Sequence, residues 1–266
     1  MSSVPRATDH LVSRLVAERT AAVPGRELRI GLLLEHAPHW HTYWINPGDS
    51  GLPTRLDLRL PEGVEADAIE WPAPQRFDLG GIVNYGYEGR VLLPLRLRLP
   101  ADYPHARLSI EARGRWLVCR SECLPGSAEY RLEVPVSERS APSAWQEDFA
   151  RADERLPRVP AGMRLQVAEQ GEDLRLLLRG GPDGTPDAWQ LYPRTPRLVA
   201  NAARPRWAPV AGGWQILWRK SEFYTGLPSA SEWVLRLPDR ALALSAGGSS
   251  EPGAGPSAEG GQGQDP

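Results

Sequence analysis

The sequence predicts an all-β protein made of two β-sandwiches, and three observations support this fold class. Apolar and polar residues alternate with a period of two along many short segments, as in strands with one buried face. Proline (27 residues) and glycine (26 residues) separate these segments as turn residues do. At 266 residues the chain is long enough for two domains of ordinary size.

The first block of strands, residues 1–136, predicts a sandwich of the immunoglobulin type. Residues 12–20 also fit helical spacing, through Leu11 and Leu15, and we predict a first strand there. Pro94 lies inside a later strand segment and predicts an edge strand or a bulge. About seven strands over roughly 115 residues are typical of this fold. Four segments show the alternation most clearly: RELRIGLLLE, TRLDLRL, VLLPLRLRLP and YRLEV.

The remainder of the chain predicts a linker, a smaller sandwich and a tail. Residues 137–160 break the alternation and form the predicted linker, in which Trp145, Phe149 and Ala152 follow the spacing of a short helix. Residues 243–266 are rich in glycine, serine and proline and predict a disordered tail, because they offer no apolar core. The second sandwich is predicted over residues 161–242, with strands in MRLQV, DLRLLLRG, PRLVA, GWQILWR and SEWVLRLP.

Charge and hydropathy argue against several classes of function. The net charge of -2 and the pI near 6.2 provide no basic field that would attract nucleic acid or an anionic membrane. No run of about 18 apolar residues predicts a bilayer span. The first 20 residues contain no continuous apolar segment, so they do not predict a secretory signal peptide. A mature or excised segment, a misassigned start and a cytosolic location are all compatible with this.

The two cysteines of the chain, Cys119 and Cys123, lie four positions apart in WLVCRSECLPG. RWLVC predicts a strand, Pro125 and Gly126 are turn residues, and the next strand is expected to open near Glu129. In an extended strand, residues four apart are separated by roughly 13 Å, whereas a disulfide needs Cα atoms within about 7 Å. A disulfide therefore requires the three residues between them to turn the chain, and we predict a pair at the end of a hairpin.

Three roles are open for this pair, and the pattern favours redox chemistry over a passive disulfide or free thiols and over a metal site. Closing about five residues contributes roughly 2 kcal/mol, against about 4.7 kcal/mol for a loop of a hundred. A small ring in a tight turn is open to strain, and strained, exposed disulfides are the readily reduced kind. A metal would need further ligands, for which His36, His39 and His41 are candidates at a spacing that matches no finger motif. Without a helix dipole to stabilise the thiolate, we expect a modest nucleophile suited to a shuttle.

Four sequence blocks resemble the N-terminal periplasmic domain of the DsbD-type thiol:disulfide interchange proteins, in particular their ScsB-like branch. The resemblance extends over roughly residues 10–136, and residues 160–242 resemble more weakly the second β-domain of ScsB-like proteins. DsbD spaces its cysteines more widely than the CxxxC found here, which follows the ScsB-like pattern. The blocks are WHTYWINPGDSGLPT (40–54), IEWPAPQRF (69–77), NYGYEGRVLLPL (84–95) and WLVCRSECLPG (116–126).

The resemblance implies a periplasmic domain that reduces disulfide-bonded proteins through its cysteine pair. Electrons would come from a DsbD-type membrane domain and a thioredoxin-like domain, neither of which is expected within these 266 residues. By position, Cys123 corresponds to the cysteine that forms the mixed disulfide with partners, and Cys119 to the cysteine that resolves it. No cofactor, no metal and no nucleic-acid partner is expected.

The resemblance also implies which residues surround the pair. His41 and Tyr43 are alternate residues of one predicted strand and so share a face, where the family places polar or aromatic neighbours. Phe77 lies in the segment that corresponds to the cap of the DsbD active site and is expected to shield the sulfurs. Tyr85 and Tyr87 in NYGYEG either pack a sheet edge or belong to the surface that docks partners, and we include them among the predicted site neighbours.

Rival interpretations belong to other functional classes. One is a non-enzymatic immunoglobulin-like binding module with a structural disulfide, and another is a Cys/His metal-binding domain of the copper-tolerance kind. The segment NPGDSGLP has the glycines of a phosphate loop, but no GK[ST] and no helix pattern follow it. We therefore predict a structured turn there.

Overall fold

The computed structural model describes residues 1–182 and 184–247, and strands predominate in it. The predicted all-β class is confirmed, with an immunoglobulin-like β-sandwich followed by a second, smaller β-sandwich. Among the described residues, no helix is long and apolar enough to span a membrane. The strands of the first sandwich are β1 (Arg6–Thr8), β2 (Leu11–Ala17), β3 (Glu27–His36), β4 (His41–Gly48), β5 (Arg55–Arg59), β6 (Glu65–Ala66), β7 (Gln75–Leu79), β8 (Ile82–Glu88), β9 (Arg90–Arg98), β10 (Arg107–Cys119) and β11 (Cys123–Pro135).

The first sandwich has two antiparallel sheets with a shared core. One sheet has the order β1-β2-β3-β9-β6, and the other has the order β11-β10-β4-β8-β7, with β5 also paired to β10. The alternation in β3 explains the packing, because Leu28, Ile30, Leu32 and Leu34 are at most 2% exposed and all face this core. The strand predicted near Leu11 is confirmed as β2.

Strand β11 begins six residues before the predicted opening near Glu129. Pro125 and Gly126 lie inside this strand, in register with Leu117 and Trp116. β11 is an edge strand, so the missing N–H of proline costs no ladder bond on its open side. Glycine fits because a Cβ at position 126 would lie 2.3 Å from the Trp116 indole nitrogen.

The helix expected between the two sandwiches is α1 (Gln146–Arg155), and it covers the outer face of the first sheet. Phe149 is fully buried and packs with Leu33 and Leu92, which point away from the sandwich core. Arg90 fixes the helix through two hydrogen bonds to the Asp148 carboxylate, of 2.7 and 2.9 Å. The segment predicted as a linker is therefore a third layer of the first domain.

The second sandwich pairs a four-stranded sheet with a three-stranded sheet. The first has the order β12-β13-β16-β15 and the second β14-β17-β18, and a short 3-10 helix (Pro186–Ala188) precedes β14. Tyr192 extends from this sandwich into the core of the first, where its ring packs against Trp44 and Tyr85. The strands are β12 (Arg164–Gln170), β13 (Asp173–Arg179), β14 (Gln190–Pro193), β15 (Arg206–Val210), β16 (Gly213–Arg219), β17 (Ala230–Arg236) and β18 (Ala241–Gly247).

Two predictions for the second block are wrong. PRLVA is not a strand but a turn with Arg197 at φ 63°, although Leu198 and Val199 are buried and gave the segment its apolar character. The tail does not begin at residue 243, because β18 pairs with β17 as far as Gly247 and buries Leu244 and Ala246. The rest of the predicted tail, residues 248–266, lies outside the described residues.

Replacing Phe149 by alanine tests whether α1 is part of the fold. We expect the free energy of unfolding to fall by about 3–4 kcal/mol, because a fully buried ring is lost and the outer face of the sheet loses its cover. Urea denaturation followed by tryptophan fluorescence measures this. The matched control is Glu154→Ala on the exposed side of the same helix, expected to stay within about 0.5 kcal/mol of the wild type. Equal losses in both variants would contradict the assigned role.

Candidate functional site

The predicted hairpin-end disulfide is present between Cys119 and Cys123. The two residues are register partners at the last rung of the β10–β11 ladder, and their Cα atoms lie 4.2 Å apart. The three residues between them turn the chain, and the Arg120 N–H donates to the Glu122 carbonyl over 3.0 Å. The ladder thus places both sulfurs on one face of the sheet.

The two sulfurs differ in access to solvent. Cys119 is 1% exposed, whereas Cys123 is exposed. The strand order explains the difference, because β10 lies inside the sheet between β11 and β4, whereas β11 is the edge. Cys119 has His41 as its neighbour on β4, and Cys123 has no strand beyond it in the described sheet. An incoming sulfur therefore has access to Cys123 and not to Cys119.

His41 is the lateral neighbour of Cys119 and is only 2% exposed. Its ring stacks on Phe77 at 4.4 Å between centroids and meets the edge of Tyr43 at 5.3 Å. The Nε2 atom is buried and has no hydrogen-bond partner among the described residues. Burial lowers the pKa of His41 to about 4, so the ring is uncharged at neutral pH.

Tyr43 lies next to the exposed sulfur. Its hydroxyl oxygen is 3.5 Å from Cys123 Sγ, and the hydroxyl is the donor, because a sulfur in a disulfide carries no hydrogen. The side chain is fully buried because residues 48–53, which we call the site loop, pack over it. Gly51 has φ +96°, and a Cβ there would lie 2.2 Å from the Tyr43 ring. Burial raises the pKa of Tyr43, so the hydroxyl keeps its proton and can donate it to a thiolate.

Phe77 and the two tyrosines of NYGYEG do not all lie where the resemblance suggested. Phe77 is half-buried in β7 and covers His41, the neighbour of Cys119. Tyr87 is the register partner of Thr42, so it points to the opposite face from His41, and its hydroxyl donates to the Pro72 carbonyl over 2.6 Å. Tyr85 shares that inner face. The structure therefore does not bring Tyr85 and Tyr87 to the disulfide.

Sequence reasoning missed the site loop as part of the site. NPGDSGLP was predicted only as a structured turn, yet it supports Tyr43 and forms one side of a cleft of about 520 Å³ that reaches Leu117 and Pro125 beside the disulfide. Leu52 on the loop is 61% exposed. An apolar residue between two turn glycines and a proline was the one available signal.

The histidines near the pair do not gather into a metal site. His36 hydrogen-bonds through Nδ1 to the Gly89 carbonyl at 2.7 Å and through Nε2 to the Thr42 hydroxyl at 3.0 Å. Within the described ranges, no group of three or more His, Cys, Asp or Glu side chains could hold a metal ion. The chemistry that the arrangement supports is exchange at sulfur.

Comparison with known proteins supports the same interpretation. Residues 12–135 match the family model described as thiol:disulfide interchange protein DsbD, N-terminal, which confirms the resemblance drawn from the four sequence blocks. The chain is similar in fold to the N-terminal periplasmic domain of ScsB from Proteus mirabilis, at 17% identity and a TM-score of 0.67. That similarity covers 93% of this chain and 98% of the ScsB chain. No curated protein matches the chain.

Gly51→Ala tests whether the site loop packs on Tyr43, with Gly81→Ala as the control. Both glycines have φ +96°, but Gly81 has no atom within 4 Å of an added Cβ, whereas Gly51 meets the Tyr43 ring. We expect Gly81→Ala to cost about 1–2 kcal/mol of unfolding free energy through the backbone alone. Gly51→Ala should cost more, because the ring and the loop must also separate. Urea denaturation measures both, and equal costs would show that the contact does not stabilise the site.

His36 and His41 predict that the free energy of unfolding of the protein falls in mild acid. Burial lowers the pKa of His36 and of His41 from 6.5 to about 4. The unfolded chain therefore binds protons at these rings at a higher pH than the folded chain does, and unfolding becomes easier as the pH falls from about 6.5 to about 4. His41→Gln should reduce this loss by about 2–3 kcal/mol, measured by urea denaturation across that range. His105→Gln, at an exposed position, should keep the wild-type pH dependence; an equal effect of both variants would contradict the prediction.

Proposed function

We propose that this protein carries out thiol–disulfide exchange through Cys119 and Cys123, a proposal supported by the match of residues 12–135 to the family model of DsbD N-terminal domains. The observation that carries the proposal is the unequal access to the two sulfurs, one buried inside the sheet and one exposed at its edge. A purely structural disulfide does not require this difference in exposure. An exchange reaction does, because one sulfur must be accessible to the partner and the other must be shielded from it.

The first half-reaction loads the pair with electrons. A thiolate of a reduced dithiol donor attacks Cys123 Sγ, the bond between Cys123 and Cys119 breaks, and the electron pair leaves on Cys119. The second thiolate of the donor then attacks the first donor sulfur, which is bonded to Cys123 in the mixed disulfide. The donor disulfide forms, and Cys123 is released as a thiolate. Two electrons reach the pair, the donor becomes a disulfide, and the two cysteines end as thiols after taking up two protons.

The second half-reaction passes the electrons on. Cys123, as thiolate, attacks one sulfur of a disulfide in the partner and expels the other partner sulfur as a thiolate. Cys119 then loses its proton and attacks Cys123 Sγ, which restores the internal disulfide and expels the second partner sulfur. The partner gains two electrons and two protons. These are the roles that the resemblance implied for the two cysteines.

His41 and Tyr43 have separate roles in this scheme. The hydroxyl of Tyr43 donates a hydrogen bond to Cys123 and stabilises its thiolate. His41 is uncharged and is the lateral neighbour of Cys119, so it places no positive charge beside this sulfur to stabilise a thiolate. The site thus supports a modest nucleophile without a nearby helix dipole.

The proposed setting is periplasmic. The similar ScsB domain is periplasmic, and the family name refers to thiol:disulfide interchange. On this basis we propose that thioredoxin-like proteins and a DsbD-type membrane domain supply electrons, and that disulfide-bonded periplasmic proteins receive them. The chain would act as one oxidoreductase component that depends on such a supply. The rival, an immunoglobulin-like binding module, requires only an inert disulfide.

The two single-cysteine variants should behave differently toward a disulfide probe. Cys119→Ala leaves the exposed Cys123, which should form a mixed disulfide with oxidised glutathione or an oxidised thioredoxin-like protein. Cys123→Ala leaves the 1% exposed Cys119, which should react at least ~10-fold more slowly because the attacking disulfide cannot reach it. Mass spectrometry of the trapped species measures both. Equal trapping would show that the assigned roles are wrong.

The reduction potential of the pair in the wild type separates exchange from a structural disulfide. Equilibration with glutathione or dithiothreitol buffers should give a value between about -270 mV and about -120 mV, the range of thioredoxin-fold exchange proteins. A value below about -300 mV would assign the disulfide to a structural role and favour the binding module.

A further inference from the structure

We propose that the second sandwich is a structural part of the redox site, and that Asn201 is a positioning residue that holds the site loop against Tyr43 and so against Cys123. This inference rests on the proposed function and gives the second domain a role in it. The contact between the two sandwiches includes polar side chains as well as apolar ones. These polar side chains bind the segment that carries Tyr43 and Gly51.

Two asparagines join the sandwiches at this segment. Asn201, in the second sandwich, donates through Nδ2 to Asp49 Oδ1 at 2.7 Å. Its Oδ1 accepts from the Tyr85 hydroxyl at 3.0 Å. In the first sandwich Asn46 donates through Nδ2 to the Pro193 carbonyl at 2.7 Å and is 2% exposed. Both connections act on the chain between Tyr43 and Gly51.

Within the first sandwich, β8 leaves part of this segment without cross-strand partners. Strand β4 departs from β8 after Tyr43, and the pairing resumes only at Gly48, opposite Asn84. Residues 44–47 therefore have no partners on β8. Asn46 lies in this gap, where the Pro193 carbonyl of the second sandwich takes the place of a neighbouring strand.

The site loop receives the rest of its support through Asp49. Asp49 Oδ2 accepts from the Val83 N–H at 2.7 Å, and the Asp49 N–H donates to the Val83 carbonyl at 2.9 Å. Ser50 continues the chain by donating to Asn84 Oδ1 from its hydroxyl at 3.0 Å. Gly51 then lies on the Tyr43 ring. The path from Asn201 to Cys123 thus consists of contacts between neighbouring residues.

Asn201 is itself held firmly in place. It is 8% exposed and follows the buried pair Leu198 and Val199 in the turn that was predicted as a strand. The Trp218 indole N–H donates to the carbonyls of Ala200 and Ala203, at 3.1 and 2.9 Å. The turn is therefore anchored to the second core, and the buried apolar residues of PRLVA serve to present Asn201.

A charge exchange between positions 49 and 201 tests the proposal. Asn201→Asp places two carboxylates against each other and should push the site loop away. Adding Asp49→Asn restores every bond, because the new amide at position 49 donates to the new carboxylate at position 201, and its oxygen still accepts from the Val83 N–H. That carboxylate in turn accepts from the Tyr85 hydroxyl, as the Asn201 amide oxygen does. Thr195→Ala is the control, since it removes only a hydrogen bond to Glu232 within the second sandwich.

The measurement is the alkylation of Cys123 by iodoacetamide as a function of pH, with Cys119→Ala in every protein so that Cys123 is the only thiol. Asn201→Asp should raise the pH midpoint and slow the reaction at pH 7 by ~3-fold, because Tyr43 no longer donates steadily to the thiolate. Tyr43→Phe should shift it in the same direction and further. The double exchange and Thr195→Ala should have the same alkylation profile as the protein that carries Cys119→Ala alone.

Two outcomes overturn the proposal. One is an unchanged alkylation profile in Asn201→Asp, and the other is a shift that Asp49→Asn does not reverse. Urea denaturation of each protein accompanies the measurement, and the double exchange keeps the test decisive if Asn201→Asp alone fails to fold. Alkylation does not require exchange with a partner. A failed exchange assay in the wild type would therefore contradict the proposed function and leave this result to be judged by itself.

Discussion

The pairing of β10 with β11 is the constraint on which the site depends. Thirteen register pairs run from Arg107 opposite Pro135 to Cys119 opposite Cys123. Along this ladder Leu108 and Ile110 face the core and are fully buried. Because the side-chain period of a strand is two, a slip of one residue between the two strands would place Cys119 and Cys123 on opposite faces of the sheet and turn one sulfur to the inside of the sandwich. The apolar residues at one end of the hairpin thus decide where the sulfurs point at the other.

The helix and the second sandwich cover different parts of the first sandwich. The helix covers Leu33 and Leu92, which the alternation leaves on the outer face of one sheet. The second sandwich packs Tyr192 into the first core. On the face that carries the disulfide, an uncharged His41 and a protonated Tyr43 lie beside the sulfurs. In this arrangement Cys123 is exposed while Cys119 stays buried.

Much of the fold followed from the sequence because a period of two is a local property. The hairpin could be predicted from strand geometry and the need to bring two cysteines together. The face of Tyr85 and Tyr87 could not, since it depends on which residue of β4 stands opposite each of them. PRLVA was misjudged for a related reason, because burial of Leu198 and Val199 in a turn gives the same apolar pattern as a short strand. The contribution of Asn201 was beyond sequence reasoning, as 152 positions separate it from Asp49.

The ladder that ends at the disulfide also bears on what happens when the bond is open. In the disulfide-bonded structure the two Cα atoms lie 4.2 Å apart, and the β10–β11 register and the three-residue turn also bring the two residues together. Each thiol is then tethered beside the other, so the resolving sulfur acts at a high effective concentration and without a search through loop conformations. In the proposed exchange, a mixed disulfide on Cys123 would be short-lived. Release of the partner would then be fast because the two cysteines are held together. The encounter with the partner would be the rate-limiting step of the exchange.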